Sequence, residues 1–287
     1  MIVLRAGDLA ATWLPEQGMV GASLTHQGGE LLGQRGGLDA YLAKGSAFGI
    51  PLLAPWANRL DGLRYGDVVI DPADAKLDGN ALPKDGALAG RTWTVLSAEE
   101  GRLRAGFVAD GPVLAVFPFP HAWSVDVTLD PEGMTVATTL TATGEVLVPV
   151  SFGWHPLFTL PGVARDDLHV TLPVRRQTVL DARGIPTGEE LDAEAVDGML
   201  PAATLDAEYT TWDGDVVLRG GGRELRVQFG GEDYPVGHAW APEGESFVAW
   251  EPMTAPTNAL VTGAGLRHVA PGDAFTAVFR VAVRRID

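Results

Sequence analysis

The chain has 287 residues, 46% of them hydrophobic, with 36 Gly, 20 Pro, no Cys and a formal net charge of −16. That apolar content can fill the core of a single domain spanning residues 1–287, and it excludes a disordered chain. An acidic surface with lysine only at positions 44, 76 and 84 repels nucleic acid and anionic lipid, and the missing thiols exclude disulfides, thiolate metal sites and a Cys nucleophile.

The start, Met1-Ile-Val-Leu-Arg-Ala-Gly-Asp8, has no basic stretch followed by an apolar one and reads as no signal peptide. No window is long and apolar enough to span a membrane. A cytoplasmic location is therefore expected. Short β-type runs broken by turn residues recur from end to end, while long helical periodicity is scarce. Arg5 to Leu32 reads as strand, turn (Pro15 to Gly18), strand, turn (Gln27 to Gly29), strand; Asp39 to Ala47 is the best helical candidate. Ser124 to Leu140 reads as a hairpin: Val125, Val127 and Leu129 alternate with polar residues, and Asp130-Pro-Glu-Gly133 supplies the turn. A second hairpin joins Val216–Arg219 to Leu225–Phe229 through three glycines, and Phe275 to Val283 is a closing strand. The connections are too short for crossover helices, so the strands are antiparallel. The fold class is all-β, one large sandwich.

Four clusters stand out from that background. Phe247-Val-Ala-Trp-Glu-Pro-Met-Thr-Ala-Pro256 begins as a buried strand and places Glu251 where Pro252 ends regular pairing. Alternation sends Trp250 to one face and Glu251 to the other, a mounting that suits a catalytic base as well as an ordinary edge-strand Glu. Ser151-Phe-Gly-Trp-His-Pro-Leu-Phe-Thr-Leu160 repeats the arrangement with His155 between Trp154 and Pro156. A His and a Glu facing each other across a cleft make an acid/base pair, the imidazolium donating and the carboxylate accepting. In Gly49-Ile-Pro-Leu-Leu-Ala-Pro-Trp-Ala-Asn-Arg-Leu60, two prolines impose an extended path that delivers Asn58 and Arg59 together, and a guanidinium fork suits hydroxyl or carboxylate oxygens. Leu205-Asp-Ala-Glu-Tyr-Thr-Thr-Trp212 offers Asp206 or Glu208 as acceptors for the hydroxyls of a polyol. There is no dinucleotide fingerprint, P-loop or Gly-x-Ser-x-Gly elbow, and the six histidines lack metal-ligand spacing.

Taken in order, Pro55-Trp-Ala-Asn-Arg-Leu60, Gly153-Trp-His-Pro-Leu-Phe158, Leu205-Asp206 and Glu251-Pro-Met-Thr254 resemble the motifs of the aldose 1-epimerases, the mutarotases of the galactose mutarotase-like superfamily. The resemblance runs from about residue 10 to the Pro271-Gly-Asp segment. It implies a twisted β-supersandwich with a sugar cleft on one sheet, Glu251 as general base, His155 as general acid, and Arg59, Asn58 and Asp206 on the substrate. It implies no metal and no organic cofactor, a small-molecule sugar as the partner, and a monomer or homodimer.

One position departs from the pattern. The family carries His-Gly in the loop leading to a Trp, whereas here that loop reads Pro83-Lys-Asp-Gly-Ala-Leu-Ala-Gly-Arg-Thr-Trp93, with Asp85 at the position of the His. An acidic acceptor does not replace an imidazolium donor at a ring oxygen. The expected activity is interconversion of α and β anomers of an aldohexose. The alternatives are a hexose-6-phosphate 1-epimerase, with Lys84 and Arg91 flanking Asp85, and a sugar-binding or regulatory homologue impaired in turnover.

Overall fold

Alternating apolar residues build this molecule. In the strand His121–Asp130, odd-numbered residues are buried and even-numbered ones are partly or fully exposed, so one face seals a core while the other meets solvent. The structure, a computed structural model, describes residues 1–45 and 47–286. Two large sheets dominate it. One has nine strands, in the order Val196–Met199, His169–Leu172, Val216–Gly220, Arg223–Gln228, Ala274–Arg285, Gly133–Ala142, His121–Asp130, Arg102–Val108 and Thr94–Glu99. The other, of eight strands, carries the cleft. Its order is Pro186–Asp192, Val174–Leu180, Leu205–Trp212, Val236–Ala241, Val248–Met253, Gly153–Trp154 and Leu52–Leu53, with Leu157–Phe158 also paired to Val248–Met253.

The strand pairings within both large sheets are antiparallel, as the short connections require. The expected hairpins form with His121–Asp130 facing Gly133–Ala142, and Val216–Gly220 facing Arg223–Gln228. The first segment gains a turn at Gly7 and becomes a sheet of four strands, Ile2–Ala6, Leu9–Leu14, Val20–His26 and Gly29–Glu30. The helix expected over Asp39 to Ala47 spans Gly37–Lys44; Gly45 takes a left-handed φ of 63° and ends it, and Ser46 lies outside the described residues. Among the described residues no helix is long and apolar enough to cross a membrane.

The sheets pack face to face through aromatic side chains. Trp13, Trp154, Trp250, Tyr234 and Phe279 are each at most 1% exposed. Trp154 stands edge-on to Trp13, with ring centroids 5.9 Å apart, and its indole N–H donates to Thr138 Oγ1 of the nine-stranded sheet at 3.0 Å. That hydrogen bond satisfies a donor that burial would otherwise leave unpaired. The Trp residues thus take the core face, and their neighbours His155 and Glu251 are turned the other way.

Candidate active site

On the face of the eight-stranded sheet turned from the core, three adjacent strands line up their polar residues. His238 is the direct cross-strand partner of Glu251 on one side and of Glu208 on the other; Asp206 and Trp240 follow two residues along. His155 joins them from the end of the Gly153–Trp154 strand, where its backbone N–H donates to the Pro51 carbonyl at 3.0 Å. Gly153 makes this approach feasible, because a Cβ there would meet the Pro252 carbonyl oxygen at 2.6 Å. The result is a cleft of about 410 Å³, floored by this face and walled by the loops that carry Asn58, Arg59, Lys76 and Asp85. Ligand sites span about 300–1,000 Å³.

His155 Nε2 lies 3.2 Å from Glu251 Oε1. Burial dominates both groups. It drives the His155 imidazole down to about 3, with Asp85 opposing the shift and Lys84 and His238 adding to it. It also drives the Glu251 carboxyl up to about 7 against the pull of His238 and Lys84. At rest the two groups therefore face each other in their neutral forms, one proton between them on Glu251, with no imidazolium waiting on His155. Trp240 stands edge-on to the His155 ring at 5.6 Å and gives the cleft an apolar wall.

A second His–carboxylate contact sits one strand away. His238 Nε2 is 2.7 Å from Asp206 Oδ1. Burial opposes a charge on His238, but the hydrogen bond to Asp206 and the negative charges of Glu251, Asp206 and Glu208 outweigh it and raise the imidazole. Burial likewise works against ionising Asp206, and the His238 hydrogen bond and charge outweigh it, holding this carboxyl below its usual range.

Asn58 takes a left-handed φ of 56°. Its carbonyl accepts the Asp85 N–H at 2.9 Å, and its side-chain oxygen accepts Arg59 Nη1 at 3.0 Å. Arg59 is further held by Asp78, whose Oδ2 accepts Nε at 2.7 Å. Asp85, also left-handed at φ 63°, has Lys76 Nζ at 3.1 Å and Lys84 Nζ at 3.9 Å. Burial works against its charge, yet Lys84 and Lys76 together with His155 hold it down at about 2. Asp85 is thus a largely covered carboxylate facing two ammonium groups. Gly86 follows at φ 70°, where a Cβ would meet the Ala54 carbonyl oxygen at 2.0 Å.

Six of the residues singled out in the sequence line this one cleft: Glu251, His155, Arg59, Asn58, Asp206 and Asp85. Glu208 does not; it is fully buried and accepts the Thr257 N–H at 3.0 Å. His238, Trp240, Lys76 and the Arg59 anchor Asp78 escaped the sequence reading. The alternation in Val236-Gly-His-Ala-Trp-Ala241, one hairpin before Glu251, was the available signal for His238 and Trp240.

The family model for aldose 1-epimerase matches residues 2–281. The chain belongs to the aldose 1-epimerase family. Among solved structures, a galactose mutarotase-like protein from Clostridium acetobutylicum superposes with a TM-score of 0.86 at 17% identity, covering 99% of this chain and 95% of that one. A putative aldose 1-epimerase from Escherichia coli K12 gives 0.82 at 19% identity, with 99% of each chain covered. A galactose 1-epimerase from Lactobacillus acidophilus NCFM gives 0.74 at 13% identity, covering 99% and 93%. These likenesses show the galactose mutarotase-like fold. No curated protein matches the chain by sequence.

Proposed function

We propose that this protein is an aldose 1-epimerase that interconverts the α and β anomers of an aldohexose by opening and closing the sugar ring. The observation that carries the reading is the Glu251–His155 contact, 3.2 Å long, facing a cleft of sugar-accommodating size. Burial brings the Glu251 carboxyl up to about 7, close to the optimum for a general base working near neutrality.

The proton count fits the chemistry. Between about 3 and about 7 the pair holds one proton. The reacting arrangement, Glu251 carboxylate with His155 imidazolium, has the same count as the resting one and is reached by moving that proton across the 3.2 Å contact. Glu251 then takes the proton of the anomeric hydroxyl. The C1–ring-oxygen bond breaks with its electron pair on the ring oxygen, and His155 Nε2 delivers a proton there. Opening leaves a free aldehyde, a protonated Glu251 and a neutral His155. Rotation about C1–C2 turns the other carbonyl face, and the reverse transfers close the ring as the other anomer. In this reading Arg59, preset by Asn58 and Asp78, and Asp206, which also lines the cleft, hold sugar hydroxyls.

Polarimetric mutarotation of several aldoses tests the assignment. Glu251→Gln and His155→Asn each lower kcat by about 10²–10⁴-fold; a Glu251→Gln protein that keeps the wild-type rate refutes it. A second substrate class, a hexose 6-phosphate, draws support from Lys76, Lys84 and Arg91 along the same wall. Comparing glucose with glucose 6-phosphate decides between them: a KM far lower for the phosphorylated sugar selects that class.

A further inference from the structure

Two buried histidines face the cleft, and ring opening as proposed uses only one. His238 is 4% exposed and lies in the central of the three strands. Its Nε2 is hydrogen-bonded to Asp206, and its Nδ1 has no partner among the described residues. Residues directly opposite in neighbouring antiparallel strands hold their Cβ atoms about 4.5–5.5 Å apart, and the two residues opposite His238 are both carboxylic acids, Glu251 and Glu208. One imidazole is thus ringed by three carboxyl groups, and Glu208 also has an unpartnered buried oxygen.

We propose that His238 is a positioning residue of this site: held by Asp206 as a cation, it faces Glu251 from the next strand and favours the ionised, proton-accepting form of that carboxyl. The inference rests on the reading of Glu251 as the base. Other charges face Glu251 as well. Lys84 acts in the same direction as His238, and Asp85 and Asp206 act against it, but after burial itself His238 is the largest influence. An opposite charge at this range is worth about 1–3 pH units to a carboxyl. Without His238, burial holds the proton on Glu251 through the neutral range, and the Glu251 carboxylate–His155 imidazolium arrangement becomes harder to reach. The residue therefore acts on kcat and on the position of the pH profile.

NMR titration of the unliganded protein tests this directly, using carboxyl-labelled Glu and ring-labelled His, with Glu251→Gln and His238→Gln spectra identifying the signals. His238 is expected to be mainly charged at pH 6.5, where an ordinary imidazole is half-titrated. In His238→Gln the Glu251 midpoint rises by about 1–3 pH units, and in Asp206→Asn the His238 midpoint falls. A mainly neutral His238 at pH 6.5 in the wild type, or a Glu251 midpoint unmoved in His238→Gln, overturns the proposal. Should His238→Gln not fold, Asp206→Asn decides, and an unmoved His238 midpoint there overturns it. None of these readouts needs turnover, so a wild type inactive on every aldose refutes the proposed function and leaves the titration to judge His238. With an active enzyme, the upper limb of kcat/KM against pH moves up in His238→Gln together with the Glu251 midpoint.

Discussion

The cleft contains the same chemical pair twice, a histidine against a carboxyl, shifted in opposite directions. Between His155 and Glu251 both side chains are sealed, at 9% and 4% exposure, and burial keeps each near its neutral form. Between His238 and Asp206 the imidazole is equally sealed, but the carboxyl side chain is 55% exposed. Burial opposes both charges here, and the 2.7 Å hydrogen bond outweighs it on each side, lowering the Asp206 carboxyl and, with the nearby carboxylates, raising His238. A His beside a carboxyl does not by itself set charge; a hydrogen bond between them, as at His238–Asp206, does. Burial pushes one pair toward its neutral forms, while the hydrogen bond pulls the other toward its charged forms, in adjacent strands.

The contrast makes opposite demands on stability. Glu251 is raised from 4.5 to about 7 on folding, so the stability it contributes is complete below its unfolded value and is lost as pH rises through about 7. Glu251→Gln removes that loss. In urea unfolding, its stability relative to wild type should improve between pH 5 and pH 8 by up to about 3 kcal/mol; an unchanged difference breaks the account of the buried pair. His238 is also raised, so the stability contributed by its bond to Asp206 is present below the ordinary imidazole value and fades as pH rises through the folded one. Asp206→Asn should therefore cost about 0.5–1.5 kcal/mol at pH 6, reduced by the exposure of Asp206, and less at pH 9. A cost that grows with pH would mean that His238 is the neutral partner. Lys84→Met gives the smallest effect: an upward move of the Glu251 midpoint less than that in His238→Gln, because His238 outranks Lys84 in its pull on this carboxyl.

Much of this was legible in the chain. The β-class, both main hairpins and the opposed faces of Trp250 and Glu251 follow from local alternation, which needs no tertiary knowledge. His155 and Glu251 were visible because each stands between a Trp and a Pro, and Arg59 because prolines stiffen the path to it. His238 carries no such mark. Its importance comes from cross-strand register, which aligns it with Glu251 only once the hairpin Val236–Ala241 to Val248–Met253 closes. Lys76 and Asp78 lie on a loop whose return to Asp85 and Arg59 is tertiary. At position 85 the sequence offers an Asp where the resemblance expects a His, and only the fold brings two ammonium groups against it. The resting charge of His155 was not readable either, since it depends on burial by groups far apart in the chain.

The central claim is that the Glu251–His155 pair works while holding one proton. The most direct measurement is kcat/KM for mutarotation of a turned-over aldose against pH, because this ratio reports the ionisations of the free enzyme. The account predicts a plateau on the acid side of neutrality and a fall above about 7, as Glu251 gives up the shared proton. A rate that instead rises through that pH, following the bare Glu251 carboxylate, would contradict it.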